Sequence, residues 1–299
     1  MGLSFLRVRR EARDLLEVVL LPGLVAVLPW RVCFLLFKWL SHWRFLYREP
    51  CERALLEATK RGWVTEPGDW LAARRLVTLV DHSDHYLTRT RADRWMRRNL
   101  QVDGAWPPAD LAALCLTFHW GAGMWALRHA NASCLKGHML VAPVNGKHFE
   151  GRWVLRRYIK ARTRSIALAL KRPTVDVAVS LRTVLRALRA KEQVIAVIDV
   201  PADQVSASQA VSMLGMTAKV PTALLRLAVD QATPVSVFLT GIRMTDGKRF
   251  LRISQIGVHG DLDSLVGTVF RTLESAIQEA PAAWHFWSES ERFFAGPSS

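Results

Sequence analysis

Cysteine is scarce in this chain, four in 299 residues. That excludes a disulfide-stapled scaffold. Cys33, Cys51, Cys115 and Cys134 show no Cys-x-x-Cys spacing and no Cys/His pairing, so no zinc site is expected. Thiols placed this way read as small apolar side chains in a reducing compartment. Negative charge is also short: 26 Asp and Glu face 41 Lys and Arg, a formal +15. Half the residues are hydrophobic, which excludes a disordered chain and is enough to fill a sizeable core. There is no internal repeat and no long linker. No Ser sits in a Gly-x-Ser-x-Gly elbow and no Cys stands beside a candidate base, which disfavours a covalent acyl-enzyme. No RNP-like aromatic segment, zinc spacing or basic heptad accompanies the positive charge, so nucleic acid is not an expected partner.

What is present begins with an apolar N-terminus. Val18–Trp30 carries no charge, and after Arg31 the apolar run resumes as Val32–Phe37. Leu15–Leu40 is long enough to cross a bilayer, which takes roughly 20 apolar residues. Pro22, Pro29 and Arg31 make it a poor straight span, and no small-residue cleavage site follows closely. Arg7, Arg9, Arg10 and Arg13 precede it, and Trp30, Trp39 and Trp43 lie within or beside it, as at a cytoplasmic membrane interface. The expectation is a membrane anchor over residues 1–43 and a second unit over 44–299. The alternative is a buried core helix.

Residues 44–110 read as amphipathic helices, ending at the break Gly104–Pro108. The arginine-rich piece Arg89–Arg98 reads as a solvated face near something anionic. Beyond it, short apolar runs alternate with helical patterns. Leu111–Phe118, Met139–Val144, Ser165–Leu170, Val194–Asp199, Pro234–Thr240 and Phe250–Ile256 are the expected strands. Phe149–Arg162, Val175–Lys191, Val220–Gln231 and Asp261–Glu279 are the expected helices. Such alternation predicts an α/β fold with a mostly parallel central sheet flanked by helices. Ligand sites in such sheets lie beyond the carboxyl ends of strands, which directs attention to His119 and Asp199.

His119 ends an apolar run and opens the turn HWGAGMW, followed by an expected helix over Trp125–His129. An imidazole there is placed as a general base, and neighbouring backbone N–H groups as an oxyanion cradle. A histidine bonded only to its own turn is the plain alternative. The run Arg152–Arg172 holds Arg152, Arg156, Arg157, Lys160, Arg162, Arg164, Lys171 and Arg172 without an acidic residue. It reads either as a grip for phosphate or an acidic protein surface, or as a solvated helix face.

FHWGAGMW (Phe118–Trp125) resembles the histidine motif of the late acyltransferases of lipid A biosynthesis, the lauroyl/myristoyl transferase family. Four further segments match in order: Val144–Arg157, Leu188–Gln204, Met213–Ile253, and the closing Pro…Trp…Trp piece Ala280–Phe294. The N-terminal apolar segment sits where that family carries its membrane anchor. The resemblance implies acyl transfer from an acyl-carrier-protein thioester to a hydroxyl or amine of a lipid acceptor, at the cytoplasmic face of the cell inner membrane. It implies no cofactor and no metal. His119 would be the base, the backbone N–H groups of Trp120, Gly121, Ala122 and Gly123 or a nearby Arg would hold the oxyanion, and Arg152, Arg156 and Arg243 would contact substrate.

One departure stands out. The family places Asp or Glu five positions after the histidine, and here that position is Met124, which cannot serve the imidazole N–H as an acceptor. Asp199, at the end of a neighbouring expected strand, is the substitute that the resemblance permits. Asp203 is second choice, and Glu150 reads as an exposed helix-start residue. The alternative function is a catalytically inactive relative that binds acyl chains or carrier protein.

Overall fold

The computed structural model describes residues 3–142, 151–176 and 181–294. Nine strands are found there. β1 is Leu100–Asp103, β2 Ala113–Thr117, β3 Gly137–Val141, β4 Val175–Asp176 and β5 Gln193–Val197. β6 is Ser208–Met213, β7 Met216–Pro221, β8 Val235–Ile242 and β9 Arg249–Gly257. Seven of them form one sheet in the order β1-β9-β8-β2-β5-β3-β4. Every neighbouring pair in it is parallel except β8 with β9, which are antiparallel. The fold is therefore α/β with a mostly parallel sheet flanked by helices. Strands β2 and β8 are buried along their whole length, as expected for strands covered on both faces.

The helices are α1 (Leu3–Asp14), α2 (Leu21–Gly23), α3 (Trp30–Leu40), α4 (Arg48–Lys60), α5 (Pro67–Thr90) and α6 (Asp93–Asn99). α7 (Met124–Ala132), α8 (Trp153–Leu170), α9 (Leu181–Arg189), α10 (Ala223–Asp230) and α11 (Leu262–Glu279) follow. A π-helical turn, Leu15–Leu20, joins α1 to α2. The last described stretch is two 3₁₀ segments, Pro281–Ala283 and His285–Arg292.

The structure corrects several sequence expectations. Ser165–Leu170 is no strand but the last turns of α8. Its Ala and Leu residues continue the helical face begun at Trp153, and no turn residue intervenes before Lys171 ends the helix with φ 52. The helix expected over Val175–Lys191 begins instead as strand β4, and α9 starts at Leu181. The expected helix at Val220 starts at Ala223, because Val220 and Pro221 belong to β7. The β6–β7 hairpin was missed altogether. Its two-residue turn, Leu214 and Gly215, has φ 56 and 74, a primed turn that the Gly marks. β1 lies inside the region 44–110 where the sequence predicts helices. Residues 143–150, which include Glu150 and the first half of the segment Val144–Arg157, lie outside the described residues.

The N-terminal stretch is not a separate body. Val25, Trp30, Cys33, Phe34, Phe37 and Leu40 are buried in the same core cluster as the sheet. Pro22 and Pro29 break the apolar run into short helices that fold back onto α5. Among the described residues, no helix is long and apolar enough to cross a membrane. Polar pins complete the attachment. Glu17 is buried and accepts the Tyr47 backbone N–H at 2.7 Å. Trp30 Nε1 donates to Gly247 O at 3.0 Å. Arg249 forms a fully buried ion pair with Asp84 and lies over the Trp30 ring, 3.8 Å from its centroid. What this stretch leaves outside is apolar as well: Phe5, Val8, Val27, Leu35, Trp39 and Phe45 are all exposed.

Candidate active site

β2 and β5 are parallel neighbours, and the chain leaving each passes over the carboxyl edge of the sheet. His119 lies two residues beyond β2 and Asp199 two residues beyond β5. The structure brings them together. His119 Nδ1 lies 2.9 Å from Asp199 Oδ1. The His119 backbone N–H also donates to the same carboxylate, at 2.8 Å to Oδ1 and 3.0 Å to Oδ2. Trp284 Nε1 donates to Oδ2 at 2.9 Å. Asp199 thus accepts from the backbone of the turn and meets the imidazole ring with one carboxylate. A carboxylate only accepts, so Nδ1 carries a proton toward Asp199, and among the described residues Nε2 has no hydrogen-bond partner. Burial separates the partners: the Asp199 side chain is 1% exposed and that of His119 39%. The Phe286 ring meets the imidazole edge-on at 4.4 Å and limits its rotation.

The turn after His119 is held by the C-terminal stretch and by β8. Gly121 N–H donates to Ala283 O at 3.0 Å, His285 N–H to His119 O at 2.7 Å, and Ala122 N–H to Thr240 O at 2.9 Å. Gly121 has φ +69, and a Cβ there would stand 2.1 Å from Thr240 O, so only glycine fits. These bonds correct the expected oxyanion cradle: the N–H groups of Gly121 and Ala122 are already spent. Gly123 is the N-cap of α7, whose first turn has no side-chain cap. The open N–H groups are therefore at the start of that helix. Met124 is buried in the core.

Two residues that sequence reasoning missed sit behind the turn. His285 Nε2 lies 2.7 Å from Gly121 O, and Arg74 Nη2 lies 3.2 Å from His285 Nδ1. Burial, then the Arg74 charge, push His285 down to about 3. It is neutral, with Nε2–H donating to Gly121 and Nδ1 accepting from Arg74. Arg74 is buried and spends its other donors on the carbonyls of Ala282, Trp284 and His285. Only the closing Pro…Trp…Trp segment hinted at this strap. Alongside, Arg162 pairs with Asp81 at 2.7 Å and His82 Nδ1 meets Tyr158 OH at 2.7 Å. Burial pushes His82 and His85 each down to about 4.

The other expected ligand residues are placed differently. Arg152 is taken up by Asp14, which is buried, and so pins α8 to α1. Arg162 and Arg172 are paired with Asp81 and Glu192. Of the basic run, Arg156, Arg157, Lys160, Arg164 and Lys171 are exposed. Arg243 pairs with Asp246 across the β8–β9 turn. Asp203 pairs with Arg292 on the surface and does not approach the imidazole. Among the described residues no three His, Cys, Asp or Glu side chains gather as a metal-binding group.

A cavity of about 780 Å³ lies on the other side of the Trp120–Gly121 turn, over β1, β8 and β9. Trp120 and Gly121 line it, whereas His119 and Asp199 do not. No protein-family model matches the chain, and comparison with curated proteins finds no match.

Proposed function

We propose that the chain is an acyltransferase that moves a fatty acyl group from an acyl-carrier-protein thioester to a hydroxyl or amine of a lipid acceptor. The observation that carries this reading is the His119–Asp199 dyad with its Nε2 open, at the carboxyl edge of a parallel sheet. Nε2 takes the proton from the acceptor as its oxygen or nitrogen attacks the thioester carbonyl carbon. The carbonyl oxygen becomes an oxyanion, and the uncapped start of α7 is the nearest source of backbone N–H donors for it. As the tetrahedral adduct collapses, the C–S bond breaks and the leaving thiolate takes the proton from Nε2. Asp199 holds the ring in the required tautomer and balances the imidazolium. No covalent acyl-enzyme is needed.

A membrane-surface location fits the same reading. Phe5, Leu35 and Trp39 are exposed on the N-terminal helices, and Arg9, Arg10, Arg31 and Lys38 punctuate the same stretch. Apolar side chains flanked by cations suit a helix pair lying in the headgroup layer rather than crossing it. The competing reading is a relative without activity that binds acyl chains or carrier protein. The spent N–H groups of Gly121 and Ala122 favour it. His119→Ala decides between the two. Mass spectrometry of lipids from cells carrying either form should show an acylated product that disappears with the variant. An identical lipid profile with both forms supports the inactive scaffold.

A further inference from the structure

We infer that Arg74 is a positioning residue for the His119–Asp199 dyad and acts on it through the strap of residues 282–286. The inference deepens the transferase reading, on which the role of His119 rests. Arg74 lies on α5 and is 7% exposed. Among the described residues its guanidinium meets no carboxylate within salt-bridge distance; Asp81, whose charge reaches it, is paired with Arg162. Every hydrogen bond that the guanidinium makes among the described residues ends on the strap. Nη1 donates to Ala282 O at 3.3 Å and Trp284 O at 3.1 Å, and Nη2 to His285 Nδ1 at 3.2 Å and His285 O at 3.3 Å. The strap passes that grip on to the dyad. Ala283 O accepts the Gly121 N–H, and His285 closes the turn twice, with its backbone N–H on His119 O and its Nε2–H on Gly121 O. Trp284 donates to the Asp199 carboxylate, and Phe286 stands edge-on to the His119 ring. One buried cation thus holds the segment that touches the imidazole, its carboxylate and the turn between them.

Arg74 also selects the tautomer of His285. A guanidinium only donates, so the ring nitrogen that faces it must accept, and the proton sits on Nε2, where it can serve Gly121 O. With the proton on Nδ1, Nε2 would turn a lone pair toward the carbonyl oxygen and the turn would lose that bond. The neighbouring arginine gives an internal contrast. Arg75 is 3% exposed and likewise donates to carbonyls, Leu46 O at 3.0 Å and Ser41 O at 3.3 Å. Those carbonyls belong to the N-terminal stretch and not to the strap. The two arginines are alike in chemistry and burial and differ in what they hold.

Nitrogen NMR of isotope-labelled histidine rings in the full chain tests this, because it reads which ring nitrogen carries the proton. Urea midpoints are measured alongside, with kcat and KM for transfer from a dodecanoyl carrier-protein thioester to a total lipid extract. The unaltered chain should show His285 as the Nε2–H form and His119 as the Nδ1–H form. Arg74→Lys keeps the charge but not the planar fork, and one ammonium cannot serve the ring and three carbonyls. It should release both rings into mixed tautomers and lower kcat about tenfold or more with KM unchanged. Arg75→Lys should lower the urea midpoint to a similar degree and leave both rings and kcat as they are. His285→Leu should repeat the effect of Arg74→Lys on His119. His285→Gln should restore most of it, since its amide donates to Gly121 O and accepts from Arg74. That second pair decides the matter if Arg74→Lys fails to fold. A His119 ring that keeps its single tautomer and its kcat in Arg74→Lys and His285→Leu would overturn the inference. So would His285 found as the Nδ1–H form, or equal effects of Arg74→Lys and Arg75→Lys on the dyad. The ring spectra need no acyl transfer, so they decide the role of Arg74 even where the transferase reading falls.

Discussion

Asp84 and Asp199 are both sealed from solvent, and each faces a cation or potential cation, yet the two regions they organise differ in kind. Asp84 sits in α5 against Arg249 of β9, and both side chains are 0% exposed. Every polar atom of that pair looks inward, and the Trp30 ring closes one face of the guanidinium. Asp199 holds His119, whose other nitrogen is not needed for holding anything and whose side chain is 39% exposed. A buried pair with nothing left over is a pin. A buried carboxylate that fixes a partner and leaves that partner's reactive atom in the open is the arrangement chemistry needs.

The contrast can be broken most severely at the pin. Asp84→Ala leaves the Arg249 charge buried and unpaired, which should cost about 3–5 kcal/mol. Urea unfolding would show it as a lower midpoint at unchanged slope. Replacing both partners by apolar residues of similar size, Asp84→Leu with Arg249→Met, should recover most of that loss, since no lone charge remains. A double variant as unstable as the single one would mean that the pair does more than neutralise itself. At the dyad the expected pattern is the reverse. Asp199→Asn keeps the shape and an acceptor oxygen but removes the charge that balances the imidazolium. Acyl transfer should fall between about 10²- and 10⁴-fold, with KM little changed and the urea midpoint shifted by less than that of Asp84→Ala. If stability falls as far as activity survives, the two aspartates are of one kind and the catalytic reading fails.

How far these two regions could be read in advance follows from how local their signals are. The parallel sheet was legible because β2, β5 and β8 are continuous apolar runs, and buried strands need no partner pattern to be recognised. Likewise His119 and Asp199 were found because each ends such a run. The hairpin β6–β7 was not legible: its strands alternate small and polar residues around a two-residue turn, a weak pattern beside its neighbours. Nor was the Asp84 pin, since 165 residues separate its partners. Arg74 and His285 were missed for the same reason. Each is one polar residue in an amphipathic stretch, and only packing shows that one holds the other. The arginine run misled because spacing counts charges, whereas the fold had already assigned Arg152, Arg162 and Arg172 to carboxylates.

A milder way to sharpen the comparison is pH. His82 and His85 are held near 4 and His285 near 3, all by burial, against about 6.5 in an unfolded chain. The unfolded chain therefore binds more protons between about pH 6.5 and 4, and stability must fall as pH drops through that window. Above pH 6.5 these groups are neutral in both states and contribute no slope. Each of these histidines should contribute up to about 2 kcal/mol of loss by pH 5, and less where its ring is partly exposed. Two of the three groups, His82 and His85, sit on α5 on either side of Asp84, and the third, His285, in the strap behind His119. His285→Gln keeps a donor for Gly121 O and should flatten part of the slope, which urea midpoints at pH 7 and pH 5 would reveal. An unchanged slope would show that His285 titrates normally and that the strap is open to water.

The smallest effect should come from Trp284, which touches both kinds of role. Its ring is fully buried between Trp287, Phe293 and Phe294, and its Nε1–H donates to Asp199 Oδ2 at 2.9 Å. Trp284→Phe keeps most of the packing and removes that one donor. The carboxylate still accepts from the His119 backbone and ring, so it is not left unsatisfied. Stability should drop by about 1 kcal/mol, the net value of one hydrogen bond and a little lost volume. If Trp284 is a positioning residue, kcat should fall severalfold while KM holds, because the ring of His119 samples more orientations relative to the acceptor. A purely structural role predicts the same loss of stability with kcat intact. The position that separates a pin from a dyad is then a single indole N–H, and the ratio of the two losses measures to which side it belongs.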